Sequence, residues 1–442
     1  MLQRIDLRGE STVPADVKAR LPRAPLNVEK AMVTVLPILA DVRERGARAL
    51  RDLAEKFDGV RPEHVRVPSE AIANAVDSLR PELRAALETS IAHNRAGHEA
   101  QLPVERVTEI IPGGIIRQRW IPVNRVGLYV PGGLAVYPSS VIMNTVAAQV
   151  AGVRHIALAS PPQAANNGLP HPTILAACGL LGITEVYAVG GAQAIGMFAY
   201  GAAGEPGVDP EMLCEAVDVI TGPGNIFVAA AKRAVRGVVG IDAEAGTTEI
   251  AIVADDGANP EYVAADLLSQ AEHDPAAASV LITDSAELAD QVDAALERRA
   301  AATKHAERVA KALSGPQSGI VLVDTIDGAL DVANAYAAEH LEIQTRNALA
   351  DAQRIHNAGA IFVGPYNPVP LGDYMAGSNH VLPTGGTAAF ASGLNVHAFL
   401  KSVQEIEYSK DAMASMYEPL RALALDEDLP AHAEALAARL NG

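Results

Sequence analysis

Eight short apolar runs, each four or five residues long and bounded by turn residues, constrain the fold of this chain more than any other feature. The first four are Val126–Val130, His155–Ala159, Glu185–Val189 and Val217–Thr221; the second four are Glu249–Val253, Val280–Thr283, Gly319–Val323 and Ala360–Val363. None alternates apolar with polar residues, as a strand with one solvated face would. They read as strands buried on both faces of a parallel sheet. Helix-like segments such as Val141–Val150, Thr173–Leu181 and Ile226–Arg236 lie between most of them, which is the crossover a parallel sheet requires. Two such series predict an α/β fold with two parallel-sheet domains. No aligned repeat period relates the two series.

Helical patterns flank these runs. Residues 27–57 have apolar positions at helical spacing, with Asn27 as a cap, Pro37 as an interruption and Phe57-Asp58-Gly59 as the end. A second helical stretch covers roughly 69–100. After Pro383-Thr384-Gly385-Gly386 the strand signals stop, and three helical patterns near 395–408, 411–425 and 430–440 close the chain. With 442 residues and 49% hydrophobic side chains, the chain can bury a large core, built mostly from aliphatic residues because aromatics are 4%.

Charge and cysteine usage narrow the function classes. Lys and Arg number 35 against 53 Asp and Glu, a formal charge of −18 that repels phosphate backbones and anionic lipid. No nucleic-acid or membrane partner is expected. The uncharged stretch from Val126 to Val153 is broken by Pro131, Gly132, Gly133, Pro138, Asn144 and Gln149, so it reads as buried interior and not as a span. The first ten residues lack a basic region followed by an apolar run, which predicts no signal peptide and a cytoplasmic protein. Two cysteines, Cys178 and Cys214, cannot build a disulfide framework. Cys178 sits in an apolar helix and Cys214 amid Glu211, Glu215 and Asp218, so neither is expected to be an activated thiol.

Several polar segments could carry chemistry. In Asp266-Leu-Leu-Ser-Gln-Ala-Glu-His273, Gln270 and His273 stand three apart on one helix face and could hold two positions around a metal. His273 could equally do no more than cap a helix C-terminus. Glu339-His340 places an acid beside an imidazole, a proton-transfer pair if both reach one site and two surface residues if not. The Gly/Pro-rich connection Pro370 to Pro383 holds Asp373 and His380 but few ordinary surface charges; Asp373 could build a site there or simply satisfy loop amides. Glu427 and His432 fall in a helical tail, where a solvated face is the plain explanation. Gly222-Pro-Gly-Asn225 and Gly190-Gly-Ala-Gln193 each follow a strand and open a helix, as phosphate-binding turns do, but neither matches G-x-G-x-x-G.

Taken together these segments resemble the histidinol dehydrogenase family. The resemblance runs through nearly the whole chain: Gly127-Leu-Tyr129-Val-Pro-Gly-Gly133, Gly190-Gly-Ala-Gln193-Ala-Ile195, Thr221-Gly-Pro-Gly-Asn225, Leu267-Leu-Ser-Gln-Ala-Glu-His273, Glu339-His340-Leu and Gly372-Asp-Tyr-Met-Ala-Gly-Ser-Asn-His-Val-Leu-Pro-Thr384 occur in the family's order. Glu427 and His432 follow at the family's five-residue interval. The resemblance implies oxidation of L-histidinol to L-histidine through the aldehyde, with two NAD+ and one zinc ion per subunit, in a homodimer with shared active sites.

Carried over by motif, Gln270, His273 and Asp373 are implied metal ligands, with His432 given by the other subunit. Glu339 and His340 are the implied catalytic pair. Thr248, Gln270, His273, His340, Asp373, Glu427 and His432 surround the substrate, and Tyr129, Gln193 and Asn225 the nicotinamide cofactor. The fold expected is two incomplete Rossmann-like domains with helical segments at both ends. Its implied division is an N-terminal segment of 1–30, a first α/β domain from 31–125 and 245–385 with most of the metal site, a second from 126–244 with the NAD loops, and a tail of 386–442 completing the partner's site. Three positions depart from the family pattern: Thr248 where Ser is usual, Asp428 where Gly is common, and Leu371 before the Gly372-Asp373 pair. A zinc-dependent hydrolase and a silent ligand-binding homologue are the alternatives. The hydrolase leaves the glycine loops unused, and the intact Glu339-His340 pair argues against the silent homologue.

Overall fold

A computed structural model describes residues 1–24, 28–132, 136–244 and 246–440. The cap expected at Asn27 and the glycine at Gly133 lie outside the described residues. Two parallel sheets form, as the non-alternating runs predict. One has six strands in the order Gln3–Asp6, Gly319–Leu322, Ala278–Thr283, Glu249–Ala254, His340–Gln344 and Ala360–Val363. The other has five, in the order Gly240–Ile241, Val219–Thr221, Arg125–Tyr129, His155–Ser160 and Glu185–Ala188. Every residue of Glu249–Ala254 and of Ala278–Thr283 is buried, so no polar face is left to produce alternation. Each sheet separates two hydrophobic clusters, one per face.

Strand order reverses once in each sheet. The first sheet runs outward from Glu249–Ala254 through Ala278–Thr283 on one side and from His340–Gln344 on the other. The second turns between Arg125–Tyr129 and Val219–Thr221. Such switch points leave a crevice between adjacent loops, where α/β proteins bind ligands.

Besides the unforeseen strand His340–Gln344, four features differ from the expectations. The N-terminal segment contributes an edge strand, Gln3–Asp6, parallel to Gly319–Leu322. The helices Val28–Arg45, Ala47–Asp58, Ser69–Asp77 and Pro81–Glu99 pack on the second sheet and its helices, not with the 245–385 sheet as the expected grouping of 31–125 had it. Pro37 does not interrupt its helix: Val35, Leu39 and Val42 are fully buried, and that packing outweighs one missing backbone hydrogen bond. The actual break is Gly46, at φ 53°, where a Cβ would run into the backbone of Ala203.

The fourth difference is the region near 395–408. It is a short turn, Val396–Phe399, followed by a strand, Leu400–Tyr408, and not a helix. This strand pairs antiparallel with Gly114–Pro122, which pairs in turn with Arg106–Ile111. Val107, Ile110, Val403 and Ile406 are all exposed, so the ribbon has no core-facing side to impose a period of two. Ion pairs of Arg117 with Glu407 and Arg119 with Glu405 cross it. Beyond the ribbon, Lys410–Ser415, Tyr417–Asp426 and Pro430–Leu440 form the expected tail helices, packed on one another.

Candidate active site

The polar residues singled out on the first sheet gather at the amino ends of its two central strands. His340 opens the strand His340–Gln344, and Thr248 immediately precedes Glu249–Ala254. Ala337, left-handed at φ 51°, ends the helix Ile326–Tyr336 and turns the chain so that Glu339 and His340 arrive together. They stand buried at a helix-to-strand turn and not as two surface residues. The Glu339 carboxylate accepts from Thr248 Oγ1 at 2.6 Å and from the Glu249 amide at 2.9 Å. Thr248 Oγ1 accepts in turn from Gln270 Nε2 at 2.6 Å, so the hydroxyl at this position is used in full.

Gln270 lies in the last turn of the helix Pro260–Ala271, and His273 just beyond it donates its amide to the Gln270 carbonyl at 3.2 Å. The negative end of the helix dipole therefore points into the cluster. Asp373, on the short helix Val369–Tyr374, stands 4.0 Å from His340 Nε2, and Glu339 stands 3.8 Å from His340 Nδ1. Both ring nitrogens of His340 are buried without a hydrogen-bond partner, and so is Gln270 Oε1.

Burial dominates the proton affinities. It holds His340 neutral down to about pH 3, with His273 and His380 nearby adding to the effect. Asp373 is pushed up to about 7 by burial alone. Glu339 is raised well above the carboxylate range by burial, against the bonds from Thr248 and Glu249. Glu249, raised to about 7 by burial, partly keeps its charge through Arg23. The Glu339 and Asp373 carboxyls and a helix C-terminus stand around neutral imidazoles, while Arg23 is paired with Glu249. This cluster suits a cation.

The donor set agrees with a zinc ion. Gln270 Oε1 is an orphaned buried oxygen, and imidazole and carboxylate complete an N/O set. Among the described residues no three His, Cys, Asp or Glu cluster to hold a metal by themselves.

His380 is the site neighbour without an assigned role in the sequence reading. It lies 3.9 Å from Asp373, and its Nε2 is 3.0 Å from Ser140 Oγ. Its signal was position, seven residues after Asp373 in the same charge-poor loop. Ser140 opens the helix Pro138–Ala151, which follows the strand ending at Tyr129, so this contact brings the cluster against the carboxyl-end loops of the second sheet.

Those loops hold the other candidate residues. Tyr129 is buried and accepts from the Gly191 amide at 3.0 Å, the first turn of Gly191–Tyr200, on which Gln193 is also buried. Asn225 Oδ1 caps Ile226–Val235, accepting from Phe227 and Val228 amides at 3.0 and 3.2 Å. Gly222 has φ 120°, and a Cβ there would strike the Tyr129 carbonyl. Buried Lys232 donates to the Gly222 carbonyl at 2.8 Å and pairs with Asp242, which accepts the Gly222 amide. Two helix N-termini thus face this crevice, the opposite polarity to the first site and suited to a pyrophosphate.

Glu427 and His432 are exposed on the tail helices and line one groove of about 670 Å³ between them. Among the described residues neither bonds to the cluster around His340. Both cysteines are buried, which raises Cys178 to about 12 and Cys214 to about 11; burial, more than the acids near Cys214, keeps them inert. Among the described residues no helix is long and apolar enough to cross a membrane.

Comparison with known proteins gives a consistent answer. The family model described as histidinol dehydrogenase matches residues 21–440. Histidinol dehydrogenase of Thermobifida fusca is 59% identical over 440 residues, covering 100% of this chain and 98% of that protein. That of Streptomyces avermitilis is 57% identical over 441 residues, covering 99% and 98%. The crystal structure of histidinol dehydrogenase from Elizabethkingia anophelis superposes with a TM-score of 0.90 at 31% identity, covering 100% of this chain and 98% of that one. The chain belongs to the histidinol dehydrogenase family of oxidoreductases.

Proposed function

We propose that the chain oxidises L-histidinol to L-histidine through L-histidinaldehyde, reducing two NAD+ in turn, as a last stage of histidine biosynthesis. The observation that carries this reading is His340: fully buried, neutral, and with neither ring nitrogen engaged by the protein. A free ring nitrogen can accept a substrate hydroxyl's proton, and the Glu339 and Asp373 carboxyls at 3.8 and 4.0 Å would stabilise the imidazolium against the burial that lowers its proton affinity.

Gln270, His273 and Asp373, with His432 of a second subunit, would hold a zinc ion, which would grip the imidazole and amino nitrogens of histidinol and fix its orientation. Thr248 and Glu427 complete the substrate pocket. In the first step His340 takes the hydroxyl proton as hydride passes from the carbinol carbon to NAD+, giving the aldehyde and NADH. In the second, Glu339 removes a proton from a water that adds to the aldehyde carbon while His340 returns its proton to the aldehyde oxygen, forming the hydrate and restoring the neutral imidazole. His340 then takes a hydrate hydroxyl proton as the second hydride leaves to another NAD+, giving the carboxylic acid. Neither step uses a thiol, in agreement with two buried cysteines.

Tyr129, Gln193 and Asn225 line the proposed nicotinamide-cofactor crevice. Without a G-x-G-x-x-G turn, NAD binding there is weak and exchangeable, which two successive hydride transfers require. A homodimer with shared sites is favoured by the tail, whose exposed Leu423, Leu425 and Leu429 accompany Glu427 and His432 on a hairpin carried by an exposed ribbon. We place the protein in the cytoplasm, without membrane or nucleic-acid partners.

The test is NADH formed per L-histidinol consumed, followed by absorbance with and without a chelator. Two per histidinol, lost on chelation and restored by zinc, is expected. One per histidinol would remove the water-activating role from Glu339. None, with zinc and NAD+ supplied, would overturn the dehydrogenase reading and return the chain to hydrolysis or silent binding.

A further inference from the structure

Behind the site lies a buried acidic group that none of these steps uses. Glu342, 1% exposed, points from the strand His340–Gln344, two residues beyond His340. Its Oε1 accepts from the Val369 amide at 3.2 Å, at the first turn of the helix that carries Asp373. Gln344 Nε2 donates to Glu342 Oε2 at 2.7 Å and to Asp266 Oδ2 at 3.2 Å. Asp266 is buried one turn before Gln270 on the helix Pro260–Ala271. Burial pushes both carboxyls up; Asp266 raises Glu342 further, while Glu342 draws Asp266 down, so Glu342 is the member of the pair that holds a proton more firmly.

Three elements that share no backbone hydrogen bonds with one another in this corner are thereby tied together. They are the helix bearing Gln270 and His273, the strand bearing His340, and the helix bearing Asp373. Two buried acids are a costly way to fill a core, and hydrophobic residues of similar volume would pack without that cost. What the acids supply is direction: each hydrogen bond fixes one element relative to another.

We propose that Asp266, Glu342 and Gln344 form a positioning triad that holds the Gln270, His273 and Asp373 side chains at ligating geometry, and that Glu342 does so through the Val369 amide. The inference rests on the zinc reading given above. Glu342 touches neither substrate nor metal in this account; it acts through the elements it joins. Orienting groups of this kind commonly change metal affinity by about 10–100-fold.

Glu342→Gln and Glu342→Ala separate positioning from bulk stability. Glutamine keeps an oxygen for the Val369 amide and resembles the protonated acid; alanine leaves that amide without its partner and the Gln344 amide with Asp266 alone. Zinc affinity is measured on the full-length chain by competition with a metal indicator, alongside NADH binding by fluorescence and histidinol KM and kcat. The expected result is a zinc affinity about 10–100-fold weaker for Glu342→Ala, near wild type for Glu342→Gln, NADH binding retained in both, and turnover of Glu342→Ala recovered by excess zinc. Wild-type zinc affinity in Glu342→Ala, or equal loss in both variants, would overturn the proposal. If Glu342→Ala does not fold, Gln344→Met, which removes the bridge but keeps the volume, takes its place with a weaker zinc affinity expected and an unchanged one counting against the triad. A wild-type protein that binds no zinc would instead refute the metal reading. The triad would then stand or fall on histidinol KM, raised by Glu342→Ala and not by Glu342→Gln.

Discussion

His340 and Glu339 occupy consecutive positions, yet their surroundings differ. The carboxylate is held by Thr248 Oγ1 and the Glu249 amide, while the imidazole is held by packing alone. Replacing His340 with Asn should therefore slow both oxidations by about 10²–10⁴-fold. Glu339→Gln should slow oxidation of added histidinaldehyde more than that of histidinol in single-turnover assays. Equal losses in the two steps would remove the water-activating role. Asp373 makes a separate prediction. Its carboxyl is moved by burial from the ordinary 3.8 to about 7, so the folded zinc-free chain holds a proton that the unfolded chain has released between those values. Stability from this group is present at low pH and falls as pH rises through that window. Asp373→Asn removes the dependence, so with chelator present its Tm relative to wild type should rise between about pH 4 and 7. A difference that is flat or falling across that range would contradict the assignment.

At the scale of elements, helix ends decide where side chains arrive. The tail helix Tyr417–Asp426 closes with the Leu429 amide on the Ala424 carbonyl at 2.7 Å and the Asp428 amide on that of Leu425 at 3.2 Å. That pair of bonds demands a left-handed residue, and Asp428 supplies it at φ 57°. Aspartate tolerates the conformation better than most residues, so the departure from glycine leaves the turn between Glu427 and His432 intact. Asp428→Gly should raise stability by about 0.5–1 kcal/mol in denaturant unfolding. A loss of stability would mean that the side chain contributes something the turn alone does not need. Beside the cluster around His340, Pro81–Glu99 holds the Asp373 loop through a row of polar side chains. Ser90 donates to the Tyr374 carbonyl at 2.6 Å, Asn94 to that of Ser378 at 2.7 Å, and His98 meets Asn379 at 3.1 Å. Gly97 faces Gly377 there, where any Cβ would meet backbone.

Across the whole molecule the two sheets present opposite electrostatic ends to one crevice. The amino ends of the first sheet, a helix C-terminus and the Glu339 and Asp373 carboxyls favour a cation; the carboxyl ends of the second, with helix N-termini, favour an anion. Under the proposed function, these ends match a cationic substrate at the first sheet and an anionic dinucleotide at the second. The proposed function takes His432 from a second chain to complete each site. A mixture of His432→Ala and His340→Asn chains tests this, because each heterodimer would hold one intact site and one doubly damaged one. Verified heterodimers should regain up to about half of wild-type activity per dimer, measured as NADH formation. No recovery would argue against shared sites.

The parallel sheets were legible in the residues themselves, because a strand buried on both faces needs an unbroken apolar run and little else in a soluble chain produces one. Motifs that are continuous in sequence were legible for the same local reason: Asn225 caps the helix it precedes, and the glycine turns open where they read as opening. Strand His340–Gln344 was not, since Glu342 and Gln344 look like solvated positions until Asp266 and the Val369 amide are brought to them from distant elements. Leu400–Tyr408 was not, because a ribbon exposed on both faces has no buried side to set a period of two. Which sheet the helices of 28–99 cover also depends on surface complementarity between segments far apart in the chain. The residue types of the candidate site were thus local information. Their convergence at the amino ends of one sheet, and the buried acids behind it, were decided by tertiary packing, because only there do residues from separate elements come within hydrogen-bonding reach.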